Sequence, residues 1–386
     1  MTEDRAADER PGLVQRVRTP AGDPAWQVSG YQQVKQLLLD PRLGRSHPQP
    51  QQASRYSNSV FIGRPHSTDP ETERAESVRF RRVLSRSFSG RRMQALRPRV
   101  AELATQLLDE LVKQVPPVDF HEYVSFRLPV LVICELLGVP YADREEFRAY
   151  CDQIADMTDE ATSRAGMQAL FGYMTALVDR KRSQTGADVI SDLIRAQQDE
   201  GFPEEGIAGA ATGLLFAGHI TTVNAIDRGV LLLCANPDQR AALAADPELV
   251  PRAVEEILRC PTPLPGSSRA VPAGLTRYAQ TDLDVAGVTI GAGELVLLNT
   301  RAANTDREVF VDPQRFDITR TDNPHLTFGH GAHFCPGAPL ARIELHVLFE
   351  MLPRRLPTLR LAVPMEALHT RTNVIFGGLT ELPVTW

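Results

Sequence analysis

Apolar residues recur at three- and four-residue intervals along most of the chain, the spacing that keeps one face of a helix dry. The pattern predicts helices over residues 31–39, 76–88, 98–112, 142–157, 168–182, 203–235 and 247–259. Alternating, strand-like runs are few and short: 283–285 and 288–290 around Gly287, 295–299, and 374–386, with Gly377-Gly378 as a hairpin turn. The fold class expected is mainly α with small β-sheets. No Pro/Gly/Ser linker interrupts the helical segments, so a single domain over 1–386 is expected, with 1–20 as a flexible N-terminus. A Pro- and Asp-rich stretch, 304–323, reads as a long ordered loop leading to something functional.

Composition narrows the choices. With 386 residues and 42% apolar content the chain can bury a large core. A formal charge of −6 and a pI near 5.9 give no drive toward nucleic acid. One segment departs from that average: nine arginines and no lysine lie between Arg74 and Arg99. Five scattered cysteines, an odd number, fit a reducing cytoplasm. The first twelve residues, MTEDRAADERPG, lack the apolar core of a signal peptide or anchor. The uncharged run 207–226 is long enough for a bilayer, but its glycines, threonines, Asn224 and His219 suit a buried helix of a soluble protein.

The chemistry concentrates in FGHGAHFCPGAPLAR, residues 328–342. A glycine-rich loop there stops at Cys335, and an apolar-periodic helix begins at once. Free N–H groups and the positive end of a helix dipole stabilise a thiolate, the form that binds metal. Glycines at 329, 331 and 337 permit tight folding against a flat cofactor, and Phe328 can shield the sulfur. Spacing alone leaves three readings open: a core cysteine, a zinc site made with His330 and His333, or a haem-thiolate.

The stretch resembles the cysteine loop of cytochromes P450, matching Phe328, Gly329, Gly331, His333, Cys335 and Gly337. The resemblance covers nearly the whole chain. It implies a fold with a long central helix over a buried haem b, and Cys335 as the iron ligand. Glu256 and Arg259 of EEILR resemble the family's Glu-x-x-Arg, and Arg315 of DPQRF falls where a third member of that buried cluster sits. Ala217, Gly218, His219 and Thr221 of AGHITT resemble the oxygen-side motif, where small Ala217 and Gly218 would leave room for dioxygen. Arg81, Arg277 and His333 match propionate-binding positions. The other arginines, such as Arg82, Arg86, Arg91 and Arg92, read as a solvated face or as a landing surface for an acidic electron donor.

Three positions depart from the family pattern. Ile220 stands where an acid usually precedes the threonine, so His219, water or a substrate hydroxyl would have to deliver protons. Ser77 replaces a histidine that commonly helps to hold the propionates. Pro336 comes directly after the cysteine and has no N–H to offer the sulfur, which should leave the thiolate a stronger donor.

The function implied is monooxygenation of a small organic substrate, such as a secondary-metabolite intermediate. It would use O2 and electrons from a ferredoxin and ferredoxin reductase, in a cytoplasmic monomer that binds neither nucleic acid nor membrane. Peroxide-driven or radical-coupling chemistry and a non-catalytic haem sensor or carrier are the alternatives. Substrate contacts are expected from 56–67, the central helix, 265–274 and 376–379.

Overall fold

The computed structural model describes residues 12–65, 67–200, 204–262 and 274–386. Its helices are α1 (Tyr31–Leu39), α2 (Pro70–Ser87), α3 (Gly90–Leu111), α4 (Arg127–Leu137), α5 (Arg144–Ala155), α6 (Glu160–Ser183), α7 (Val189–Glu200), α8 (Glu204–Ala235), α9 (Pro237–Ala245), α10 (Val250–Arg259), α11 (Thr300–Ala303) and α12 (Ala338–Arg355). Strands β1 (Val14–Arg18), β2 (Pro24–Val28), β3 (Leu43–Gly44), β5 (Leu275–Ala279) and β8 (Leu295–Leu298) form one sheet, ordered β1-β2-β8-β5-β3. β4 (Val118–Asp119), β10 (Pro383–Thr385) and β9 (Arg360–Leu361) form a second, and β6 (Leu283–Val285) pairs with β7 (Val288–Ile290).

The 32 residues of α8 rise about 48 Å, long enough to cross the molecule. By length and composition Gly206–Ala235 passes as a membrane span, yet it is mostly buried, packed against α4, α6, α7, α9, α10 and α12. That wrapping explains why the helix is apolar on nearly every side. The main core gathers α3, α4, α5, α8, α10 and α12, while two smaller clusters lie against the five-stranded sheet.

Several boundaries differ from the periodic expectation. α2 starts six residues early, because Asp69 accepts the Thr72 N–H at 2.8 Å as an N-cap and Pro70 occupies the first turn. α6 starts at Glu160, capped by Asp159, and Gly166 lets it lie directly on Tyr150 and Gln153 of α5. The segment expected to be flexible at 1–20 holds β1, paired residue for residue with β2. Of the run expected at 374–386, Pro383–Thr385 is strand β10, while the turn at Gly377-Gly378 closes only an isolated Thr370–Leu379 bridge, with Asn373 at a left-handed φ of 58° just before it. Of the segments expected to contact substrate, residues 265–273 lie outside the described ones.

Candidate active site

Cys335 lies two residues before Gly337, the N-cap of α12. Its N–H donates to the Phe328 carbonyl at 2.8 Å, which closes the loop, and Gly329 and Gly331 take left-handed φ values of 74° and 70° inside it. Burial pushes the Cys335 thiol up, and the N–H groups of Gly337 and Ala338, with Arg81 and Arg342, pull against that rise. Burial pushes Cys134 and Cys260 up to about 12; neither has a backbone N–H pulling it down, and Arg259, which donates to the Cys260 sulfur at 3.2 Å, does not offset that burial. Gly337 itself has an ordinary φ of −81°; a Cβ there would lie 3.9 Å from the sulfur, so contact with the sulfur is what distinguishes the position. Pro336 precedes the N-cap, and it is Pro339 that occupies the first turn of the helix.

The loop is clamped to α10 from both acids of EEILR. Glu256 and Arg259 are fully buried and pair at 2.7 and 2.8 Å. Arg259 then donates to the carbonyls of Asn304, Pro313 and Arg315, which pins the 304–323 stretch. Arg320, not Arg315, is the second arginine on Glu256, at 3.2 Å, joined by the Asn323 amide at 3.0 Å. Arg315 contributes only its carbonyl, because the chain path aims the later side chain inward. Glu255, one residue along the helix, accepts from Arg342 of α12 at 2.7 and 2.8 Å and from His325 at 3.0 Å. Arg342 also stacks 4.6 Å over the Phe328 ring. Sequence reasoning missed Glu255, His325, Arg342 and Arg320; the doubled acid of EEILR was the available signal.

On α8, Ala217 and Thr221 are exposed, as is Gly209 nearer the N-terminus, and a Cβ at Gly213, one turn before Ala217, would meet nothing within 4 Å. This i, i+4, i+8 stripe is an open face. The Thr221 hydroxyl bonds back to the Ala217 carbonyl at 2.8 Å. Gly218 serves a different purpose from the one its motif suggested. It faces α4, where a Cβ would lie 3.2 Å from Ile133, so its small size permits helix packing. His219 is buried away from the stripe, edge-on to Phe126 at 4.8 Å. Phe216 touches Phe61 at 4.5 Å and Phe376 at 5.9 Å, which brings three of the expected substrate segments into one aromatic wall.

A cationic group lies beside the loop. Arg81, four residues after Ser77 on α2, donates to the Phe334 carbonyl. Arg277 on β5 is 5% exposed and pushed down to about 9 by burial and by nearby Arg45. Burial, then Arg277 and Arg45, push His333 down to about 4. Glu73, whose carboxylate accepts the Arg45 and Ser46 N–H groups, is the acid that relieves this crowding. Three other arginines of the 74–99 stretch are held by acids: Arg92 by Asp192, Arg97 by Glu350 and Arg99 by Glu135. Among the described residues no three His, Cys, Asp or Glu side chains gather as a metal cluster.

The cytochrome P450 family model matches residues 118–359, more than half of the chain. The chain belongs to the cytochrome P450 family. This P450 is 42% identical over 380 residues to pentalenolactone synthase of Streptomyces exfoliatus, spanning 98% of the chain and 94% of the relative. It is 41% identical to mycinamicin IV hydroxylase/epoxidase of Micromonospora griseorubida, spanning 97% of the chain and 92% of the relative. Substrate-free PimD, an epoxidase of the polyene macrolide antibiotic pimaricin, superposes with a TM-score of 0.83 at 42% identity, covering 97% and 93% of the two chains.

The family's cofactor is a haem-thiolate, and the residues of this P450 fit one. A sulfur with two N–H donors, a crowded set of cations short of anions, and an uncovered stripe on the long central helix are what a flat, dianionic, iron-bearing group requires.

Proposed function

We propose that this P450 is a monooxygenase that hydroxylates or epoxidises a small secondary-metabolite intermediate, as a cytoplasmic monomer fed by a ferredoxin and its reductase. The hydroxylase and epoxidase activities of its relatives support that class. The observation that carries it is the Cys335 sulfur, held in a clamped loop under the Gly337 and Ala338 N–H groups. In this reading Cys335 binds the iron of haem b, and Arg81, Arg277 and His333 hold its propionates. Haem b, when bound, supplies the activation of dioxygen, one oxygen atom going to the substrate and the other to water.

The protein's residues do the rest. Ala217 keeps the open face of α8 clear, and Thr221 presents a hydroxyl there whose proton is parked on the Ala217 carbonyl. Rotating off that carbonyl, the hydroxyl can hold or pass a proton on the oxygen side. Phe61 and Phe376, backed by the fully buried Phe216, offer an apolar wall that keeps water out and orients the substrate's carbon skeleton.

The test is the carbon monoxide difference spectrum of the reduced protein. A thiolate ligand places the main band far from that of a histidine-ligated haem, and Cys335→His should move it to the histidine position. A band that does not respond to Cys335→His removes Cys335 as the ligand.

A further inference from the structure

A second polar space lies on the flank of α8, away from the open face. His219, Ile220, Val223 and Asn224 line it from α8, and it has room for about two water molecules. His219 is 2% exposed, and neither ring nitrogen has a hydrogen-bond partner. Asp227, one turn beyond Val223, is in the same condition. Its Oδ2 lies 2.7 Å from Nδ1 of His121, while its buried Oδ1 has no partner. Leaving each such group dry costs roughly 1–3 kcal/mol, so the two bare nitrogens of His219, which lines the space, call for ordered water there.

The space opens outward between two ion pairs. Arg371 holds Asp152 at 2.8 Å, and Arg148, stacked on Phe126 at 3.8 Å, holds Glu122 at 3.2 Å. Inward it ends at Ile220 and Asn224. At 100° per residue Asn224 lies about 60° around the helix from Thr221, on the border between this space and the open face. The Asn224 amide is fixed there by donating to the Phe376 carbonyl at 2.9 Å. Ile220, the other border residue, occupies the position where the family's acid is expected.

We propose that this chamber is a water-filled proton route, entering at the Asp152–Arg371 pair, relayed by His219 and reaching the oxygen side at Asn224, in place of the acid that Ile220 cannot supply. The inference rests on the monooxygenase reading. Each turnover takes two electrons from the ferredoxin and two protons from solvent, converting O2 and R–H to R–OH and one water. His219 accepts a proton on one ring nitrogen and releases another from its second, so its charge is unchanged after each transfer. Burial, with Arg148, His121 and Arg371 nearby, pushes His219 down to about 3, which keeps the ring neutral and able to exchange tautomers across the working range.

Two measurements test this. A high-resolution crystal structure of the haem-loaded protein should place water within hydrogen-bond reach of both His219 nitrogens, and a dry chamber would overturn the proposal. With NADPH, a ferredoxin and its reductase, His219→Leu should raise peroxide released per NADPH severalfold. His219→Gln, which bonds water but cannot exchange tautomers, should do the same. Adding Ile220→Asp to either variant should restore the parental value. Unchanged peroxide in both variants, or a rise that Ile220→Asp fails to reverse, rejects the relay and leaves His219 as packing. A parental protein without the thiolate-type carbon monoxide band rejects the monooxygenase reading instead.

Discussion

Thr221 and Thr222 carry the same hydroxyl on consecutive residues, and both bond back to the carbonyl four residues earlier, at 2.8 and 3.2 Å. They differ in what surrounds them. Thr222 is 4% exposed and packed, while Thr221 stands on the open stripe with Ala217. If the hydroxyl governs protons on the oxygen side, Thr221→Ala should raise peroxide per NADPH by roughly tenfold. Thr222→Ala should leave that partition near parental and cost only packing; equal effects in both variants would refute the assignment. At the sulfur the same logic concerns a missing donor. The N–H groups directed at Cys335 come from Gly337 and Ala338, and Pro336 has none. Pro336→Leu supplies one, draws electron density from the sulfur and should raise the iron's reduction potential. An unchanged potential in a folded, haem-loaded variant rejects that role.

At the scale of elements, Glu255 joins α10, α12 and the irregular stretch that follows α11 through Arg342 and His325. Burial alone would raise its carboxyl, but the Arg342 and His325 hydrogen bonds hold it down at about 2 against an ordinary 4.5. A depressed carboxyl stabilises the fold above its ordinary value and loses that contribution as pH falls through its folded one. Glu255→Gln should therefore cost about 3 kcal/mol at pH 7, and the gap between parent and variant should close between pH 4.5 and about 2. Denaturant titrations across that window check it; a constant gap means that Glu255 acts through shape alone. This clamp also marks how far the fold was legible. EEILR announced an ion pair by its spacing, and the long helices and β6–β7 announced themselves by their period. Arg320, Arg342 and His325 did not, because the segment carrying Arg320 and His325 has no period from which to infer where a side chain points. Strands β1 and β2 were hidden for a related reason: short, half-polar and separated by Pro20-Ala21-Gly22, they lack the alternation that identifies a strand. The glycine of AGHITT misled in the opposite way, since a small residue in a motif and a small residue at a helix crossing look alike in sequence.

Across the whole molecule, folding assembles a surplus of positive charge that Glu73 offsets only in part. Arg81 on α2, Arg277 on β5 and His333 in the loop come from segments distant in sequence, so their convergence exists only after both the sheet and the α12 region have formed. Without a bound anion, Arg277 is a buried guanidinium that donates to the Thr276 carbonyl at 2.7 Å and has only Glu73 nearby to offset its charge and that of Arg45. Such a charge opposes folding by roughly 2–4 kcal/mol. If Arg277 holds a haem propionate, as proposed, the bound anion would compensate this charge and the sign would reverse. Arg277→Leu should thus move two quantities in opposite directions. The Tm of the haem-free protein should rise, and haem transfer to an acceptor protein should become faster. A thermal melt of the apoprotein and a haem-transfer time course separate the outcomes. Loss of stability in both forms would mean that Arg277 serves the β5–β8 sheet, whereas opposite shifts would mean that the site's electrostatics favour the cofactor at the expense of the empty fold.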